Sequence, residues 1–139
     1  MSSHEFRNPD KLQVLPFRDW IRDHLPGGPD GYVVEDLDLV LRIYGPKFKS
    51  DATGKFMLIE LKFGHSWIGV AQRKTFGLMH NLLRNADPGC QRYLGYFVLQ
   101  YDNEDWDIAN FSINRESVTR QRFMEFLLFD VAGLPEITF

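Results

Sequence analysis

A single cysteine, Cys90, in 139 residues excludes a disulfide framework within the chain, because one thiol has no partner to bridge. No run approaches the roughly 20 apolar residues that a membrane helix needs. The first residues, Met-Ser-Ser-His-Glu-Phe-Arg, are not followed by the apolar stretch of about 7–15 residues that marks a secretory signal. These absences point to a soluble protein of a reducing, cytoplasmic compartment with no membrane partner. His4, His24 and His80 share no ligand spacing with one another or with Cys90, which argues against zinc. The acidic stretch Asp102 to Asp107 lacks the glycine and terminal glutamate of a calcium loop and reads as a hairpin turn. Repeats and low-complexity tracts are absent as well.

What is present describes a folded domain. The chain is 44% hydrophobic, with twelve phenylalanines, enough to build a core in one domain spanning residues 1–139. Net charge is −3, which excludes a strongly basic protein, yet the charge is unevenly spread. From Arg42 to Arg84 there are eight basic and two acidic residues, net +6. The remainder has the other eight basic and seventeen acidic residues, net −9. A basic middle on an acidic body suits a local phosphate-binding surface.

Periodicity and turn residues predict the elements. Residues 16–26 read as a helix through Phe17, Trp20, Ile21 and Leu25. Residues 32–44 and 55–63 read as two strands joined by a basic loop. A helix over 66–86 is expected to bury Ile68, Ala71, Leu78, Met79, Leu82 and Leu83. Strands follow at 92–101 and 106–113, the first with aromatic side chains suited to core packing, and a helix at 115–129 closes the chain. The order is helix, two strands, helix, two strands, helix, an α/β architecture with a mixed sheet.

The sharpest local signal is Phe56-Met57-Leu58-Ile59-Glu60-Leu61-Lys62-Phe63. Side chains alternate along a strand, so Glu60 and Lys62 share one face while Met57, Ile59, Leu61 and Phe63 take the other. A charged pair in such a run needs partners; a solvated edge strand or a plain cross-strand salt bridge would also account for it. The preceding strand is built alike: Leu37, Leu39, Leu41 and Ile43 on one face, Asp36, Asp38, Val40 and Arg42 on the other. If the strands pair, an aspartate sits beside Glu60. Two adjacent carboxylates repel, and a divalent cation bound by hard oxygens removes the conflict. Gln72 faces the sheet from the next helix, where a polar side chain needs a partner.

This pattern resembles the PD-(D/E)XK nuclease superfamily. The matching residues are Asp38 with Leu39 and Val40 after it, Ile59-Glu60-Leu61-Lys62, and Gln72-Arg73-Lys74-Thr75-Phe76, similar to the family's Gln-x-x-x-Tyr with Phe76 in the tyrosine position. The resemblance implies a three-layer, restriction-endonuclease-type core with a mixed β-sheet flanked by helices. It implies Mg2+ or Mn2+ held by Asp38, Glu60 and the Leu61 carbonyl, Lys62 acting on the attacking water and the phosphate, and Gln72 beside the site. Asp36 shares a face with Asp38; the apolar pair after Asp38 favours the latter. Asp19 and Asp23 are candidates for a further carboxylate. The implied activity is DNA hydrolysis; the basic middle offers Lys47 and Lys49 as phosphate contacts, and Arg73 and Lys74 are further candidates that read first as solvated helix charge. His65, just past Lys62, reads first as a loop histidine. The apolar residues of 123–139 exceed what one helix face buries and must meet either the chain's own tail or a second subunit, which predicts a homodimer.

Overall fold

A computed structural model describes residues 14–25, 27, 29, 31, 35–44 and 53–139. Contacts divide the chain into two compact units, residues 1–35 and 36–139. The first contains helix α1 (Val14–His24). Within it Arg22 bridges Asp19 at 3.2 Å and Asp23 at 3.4 Å, so both aspartates are exposed helix charges paired locally.

The second unit carries strands β1 (Leu39–Arg42) and β2 (Phe56–Phe63), helix α2 (Val70–Ala86), strands β3 (Tyr93–Tyr101), β4 (Phe111–Ile113) and β5 (Glu116–Val118), and helix α3 (Arg120–Leu127). The strands form one open sheet in chain order, β1 to β5. β1 and β2 pair antiparallel, with Leu39 opposite Ile59. β2 and β3 pair parallel across the α2 crossover, and the remaining pairs are antiparallel. The fold is α/β with a mixed sheet. Among the described residues no helix is long and apolar enough to cross a membrane.

Both faces of the central strands are covered, which is why β2 and β3 are apolar nearly throughout. On one face Met57, Ile59, Leu94, Phe97, Leu99 and Phe111 pack with Phe123 and Phe126 of α3. On the other Leu58, Tyr93, Tyr96 and Val98 pack with Phe76 of α2. Between Tyr93 and Tyr96 β3 advances three residues against two on β2, a one-residue bulge that contains Gly95, at φ +142°, where a side chain would press on the Phe97 ring.

Three expectations are corrected. Residues 106–110 are not strand; β4 begins at Phe111 and turns through Asn114 and Arg115, both at positive φ (48° and 71°), straight into β5. Such a two-residue hairpin loop matches the twist of its strands. The closing helix starts after this hairpin, capped by Thr119, whose hydroxyl accepts the Arg122 N–H at 3.1 Å. Lastly, α2 buries only part of the stripe expected: Ile68, just before the helix, and Leu83 pack in the α2-side core. Phe76, Gly77 and His80 are buried, whereas Leu78 and Leu82 are each 62% exposed.

The tail explains that stripe. After α3 the chain turns at Phe129 (φ 72°), and Phe129, Val131 and Leu134 pack against the α3-side core. It then reaches the other face, where Ile137 and Phe139 join the α2-side core. A Cβ on Gly77 would already touch the Phe139 ring at 3.4 Å. The apolar surplus of residues 123–139 is therefore largely covered within the chain itself.

Candidate functional site

The antiparallel register, extended one residue beyond β1, sets Asp38 opposite Glu60. The backbone ladder stops there. Instead of a main-chain carbonyl, the Asp38 Oδ2 accepts the Leu61 N–H at 2.8 Å. A carboxylate thus replaces a strand bond at the end of β1 and is fixed against β2. The N–H and C=O of one strand residue lean toward the same neighbour, so the Leu61 carbonyl lies on the Asp38 side too. Asp36 is exposed, and the contact with β2 is made by Asp38.

Glu60 is only 4% exposed. Its Oε1 accepts the Gln72 amide at 3.3 Å, and its buried Oε2 accepts no hydrogen bond. Burial, then the Asp38 charge, then a hydrogen bond to Asp38 that only the protonated form donates, raise its pKa from an ordinary 4.5 to about 7; Lys62 acts in the opposite direction. The residue is a carboxyl held at the edge of ionisation by burial first and by a second carboxylate next.

Lys62 is brought in through Gln72 rather than by pairing with Glu60 directly. Its Nζ donates to Gln72 Oε1 at 3.2 Å, and among the described residues no salt bridge joins Lys62 to a carboxylate. The same Gln72 oxygen accepts the Gly69 N–H at 3.2 Å. Gly69, at the N-cap, has no side chain to reciprocate, so only this half of a capping box forms. Gln72 Oε1 therefore accepts two donors while its amide nitrogen donates to Glu60, which fixes its orientation. Four positions expected from sequence, Asp38, Glu60, Lys62 and Gln72, converge at one end of β2.

Arg73 and Lys74 are exposed on the first turns of α2. Lys47 and Lys49 lie outside the described residues. Arg84, counted in the basic middle, is turned inward to Glu136 at 2.7 Å and to the Tyr93 and Leu94 carbonyls, so it is not surface charge. Phe76, in the tyrosine position of the motif, is buried and stacks on Tyr96 with centroids 5.4 Å apart.

The donor set fits a hard divalent cation. Two carboxylates and a carbonyl are oxygen ligands of the kind magnesium takes alongside waters, and a bound cation would occupy the orphaned Glu60 oxygen and relieve the carboxylate repulsion. Among the described residues no group of three or more Asp, Glu, His or Cys comes together, so those residues would supply two charged ligands. No protein-family model, curated protein or solved structure matches the chain.

Proposed function

We propose that this protein is a metal-dependent deoxyribonuclease that hydrolyses phosphodiester bonds at Asp38, Glu60 and Lys62, on a restriction-endonuclease-like core. The observation that carries this reading is the buried Glu60 oxygen, which accepts no hydrogen bond and lies beside the Asp38 carboxylate, with a lysine led to the same place by Gln72. A structural ion pair would satisfy its own atoms. The strand hairpin, the helical crossover to a parallel strand, and helices on both faces also support it.

Magnesium or manganese held by Asp38, Glu60 and the Leu61 carbonyl would acidify a bound water and offset the charge of the phosphate. Lys62 places an ammonium where negative charge grows on the phosphoryl oxygens. Gln72 is a positioning residue: it holds the lysine and the glutamate at a common distance from its own amide. Arg73 and Lys74, with Lys47 and Lys49, contact neighbouring phosphates. One site cuts one strand at a time, and a second copy of the chain would be needed to cut both together.

The small number of converging carboxylates favours a second reading, a non-cutting relative that binds nucleic acid. Plasmid nicking separates the two. With Mg2+ or Mn2+ the protein should relax supercoiled DNA, and EDTA should stop it. Asp38→Asn, Glu60→Gln and Lys62→Met should each lower the rate by about a hundred- to a thousandfold with unchanged circular dichroism. Undiminished nicking by Glu60→Gln would remove the assignment, and no nicking by the wild-type protein with either metal would leave the binding module.

A further inference from the structure

Beyond the end of α2, the face of the sheet that carries Glu60 stays polar. The registers align Lys62 with Gln100, Gln100 with Ser112, and Ser112 with Ser117. Directly paired residues on adjacent strands point to the same face, about 4.8 Å apart. A polar row therefore crosses four strands, starting at the lysine of the candidate site. An open groove of about 470 Å³ lies along it, lined by Gly64, His65, Gln100, Ser112, Arg115 and Ser117 among others.

The groove is held in shape by its own bonds. Gln100 accepts the Ser112 hydroxyl at 3.1 Å and donates to the Ser66 carbonyl at 2.8 Å, which ties the β2–α2 loop to the row. At the far side Arg115, in the β4–β5 turn, lies 4.1 Å above the Trp67 ring. Among the described residues no carboxylate pairs with Arg115. The one acid on the groove wall, Asp102, is engaged by Asn110 through backbone and side chain at 2.7 and 2.9 Å. The lining thus offers a fixed guanidinium, hydroxyls and amides, next to a lysine. The aromatic side chains on its wall, Tyr101 and Phe111, are already packed against Phe63 and Trp106 and against Phe123, so the groove suits a sugar–phosphate rather than a stacked base.

We infer that this groove binds one nucleotide of the strand flanking the scissile phosphate, with Arg115 on its phosphate and the Gln100–Ser112–Ser117 row along its sugar. The inference rests on the nuclease reading of the adjoining site. A cavity of this volume takes a small molecule or a single nucleotide, not a duplex. Recognition through backbone atoms predicts little dependence on base identity.

The test is anisotropy of a 5′-labelled hexathymidylate with the intact protein in EDTA, where no cleavage occurs. Arg115→Asn keeps a residue that accepts the left-handed backbone and should weaken binding about tenfold, the scale of one charge-assisted hydrogen bond. It should also reduce the salt slope by about 0.7, one phosphate contact on a single strand. Ser117→Phe, which fills the groove without removing charge, should weaken binding several-fold with no change in slope. Wild-type affinity in both variants, or no binding by the wild-type protein, overturns the inference. The two proposals fail separately: weakened binding by Arg115→Asn alongside unimpaired cleavage by Glu60→Gln would keep the groove and discard the catalytic site, and the reverse pattern would keep the site and discard the groove.

Discussion

Two buried polar clusters sit on the α2 side of the sheet, and they are built differently. Around β3, His80 meets the Tyr93 hydroxyl at 2.7 Å and Glu136 at 3.0 Å, and Arg84 shares Glu136 while donating to two main-chain carbonyls. Asn114 accepts the Val98 N–H at 2.8 Å and donates to the Pro135 carbonyl at 3.0 Å. Each of these groups has an acceptor or donor in the chain. At the end of β2, by contrast, one Glu60 oxygen accepts a single long bond and the other accepts none. Satisfied buried networks specify a fold, whereas an unsatisfied one costs stability and calls for another explanation. On the proposed reading, the contrast separates residues kept for folding from residues kept for a ligand.

The comparison can be broken by substitution. Asn114→Ala should cost about 3 kcal/mol, from the removal of buried hydrogen bonds at about 1 kcal/mol each and a left-handed backbone that alanine resists. Asn114→Gly should recover the conformational part alone. Chemical denaturation measures both. Glu60→Gln should not show a comparable loss in the metal-free protein; a loss equal to that of Asn114→Ala would make Glu60 a folding residue and erase the distinction.

A smaller effect concerns pH. Because the Glu60 pKa is raised in the fold from 4.5 to about 7, the folded protein retains a proton that the unfolded chain has already released. Its stabilising contribution is complete below about 4.5 and is lost as pH climbs through about 7. His80 works in the opposite sense: burial lowers its pKa, so its contribution is present above the ordinary histidine range and is lost on acidification. The difference in urea midpoint between wild type and Glu60→Gln isolates the first effect. It should move in favour of the glutamine variant between pH 5 and pH 8, and a constant difference would contradict the raised pKa that burial and Asp38 together impose on Glu60. The smallest effect lies at the surface. Replacing Lys47 and Lys49 with alanine should reduce the salt slope of duplex binding by roughly 0.9 for each phosphate that is no longer neutralised, for all sequences alike; an unchanged slope would exclude that loop from the binding face.

The candidate site was legible because its signals are local. Alternation in 56–63 sets Glu60 and Lys62 on one face, the matching alternation before it supplies Asp38, and helical spacing turns Gln72 inward. What escaped depends on distant chain. Hydrophobicity selects Leu78 and Leu82 for the stripe of α2; the buried residues include Gly77 and His80 because Phe139 covers them and Tyr93 and Glu136 bond the histidine. The β4–β5 hairpin turns on Asn114 and Arg115, without the glycine that usually marks such a loop. The polar row of Gln100, Ser112 and Ser117 exists only once three strand registers are known, and nothing in linear spacing joins those residues to Lys62.

The segment from Phe129 to Phe139 packs against both cores, one on each side of the sheet. A shared component gives two regions a common opening event, because neither is exposed fully while the other still holds the segment. Amide hydrogens of α2 and α3 should then exchange with solvent at a similar free energy and respond together to denaturant. Loosening Ile137 would lower protection across the sheet as well as beneath it, so that a substitution in the α2-side core would be read out in the helix on the opposite face.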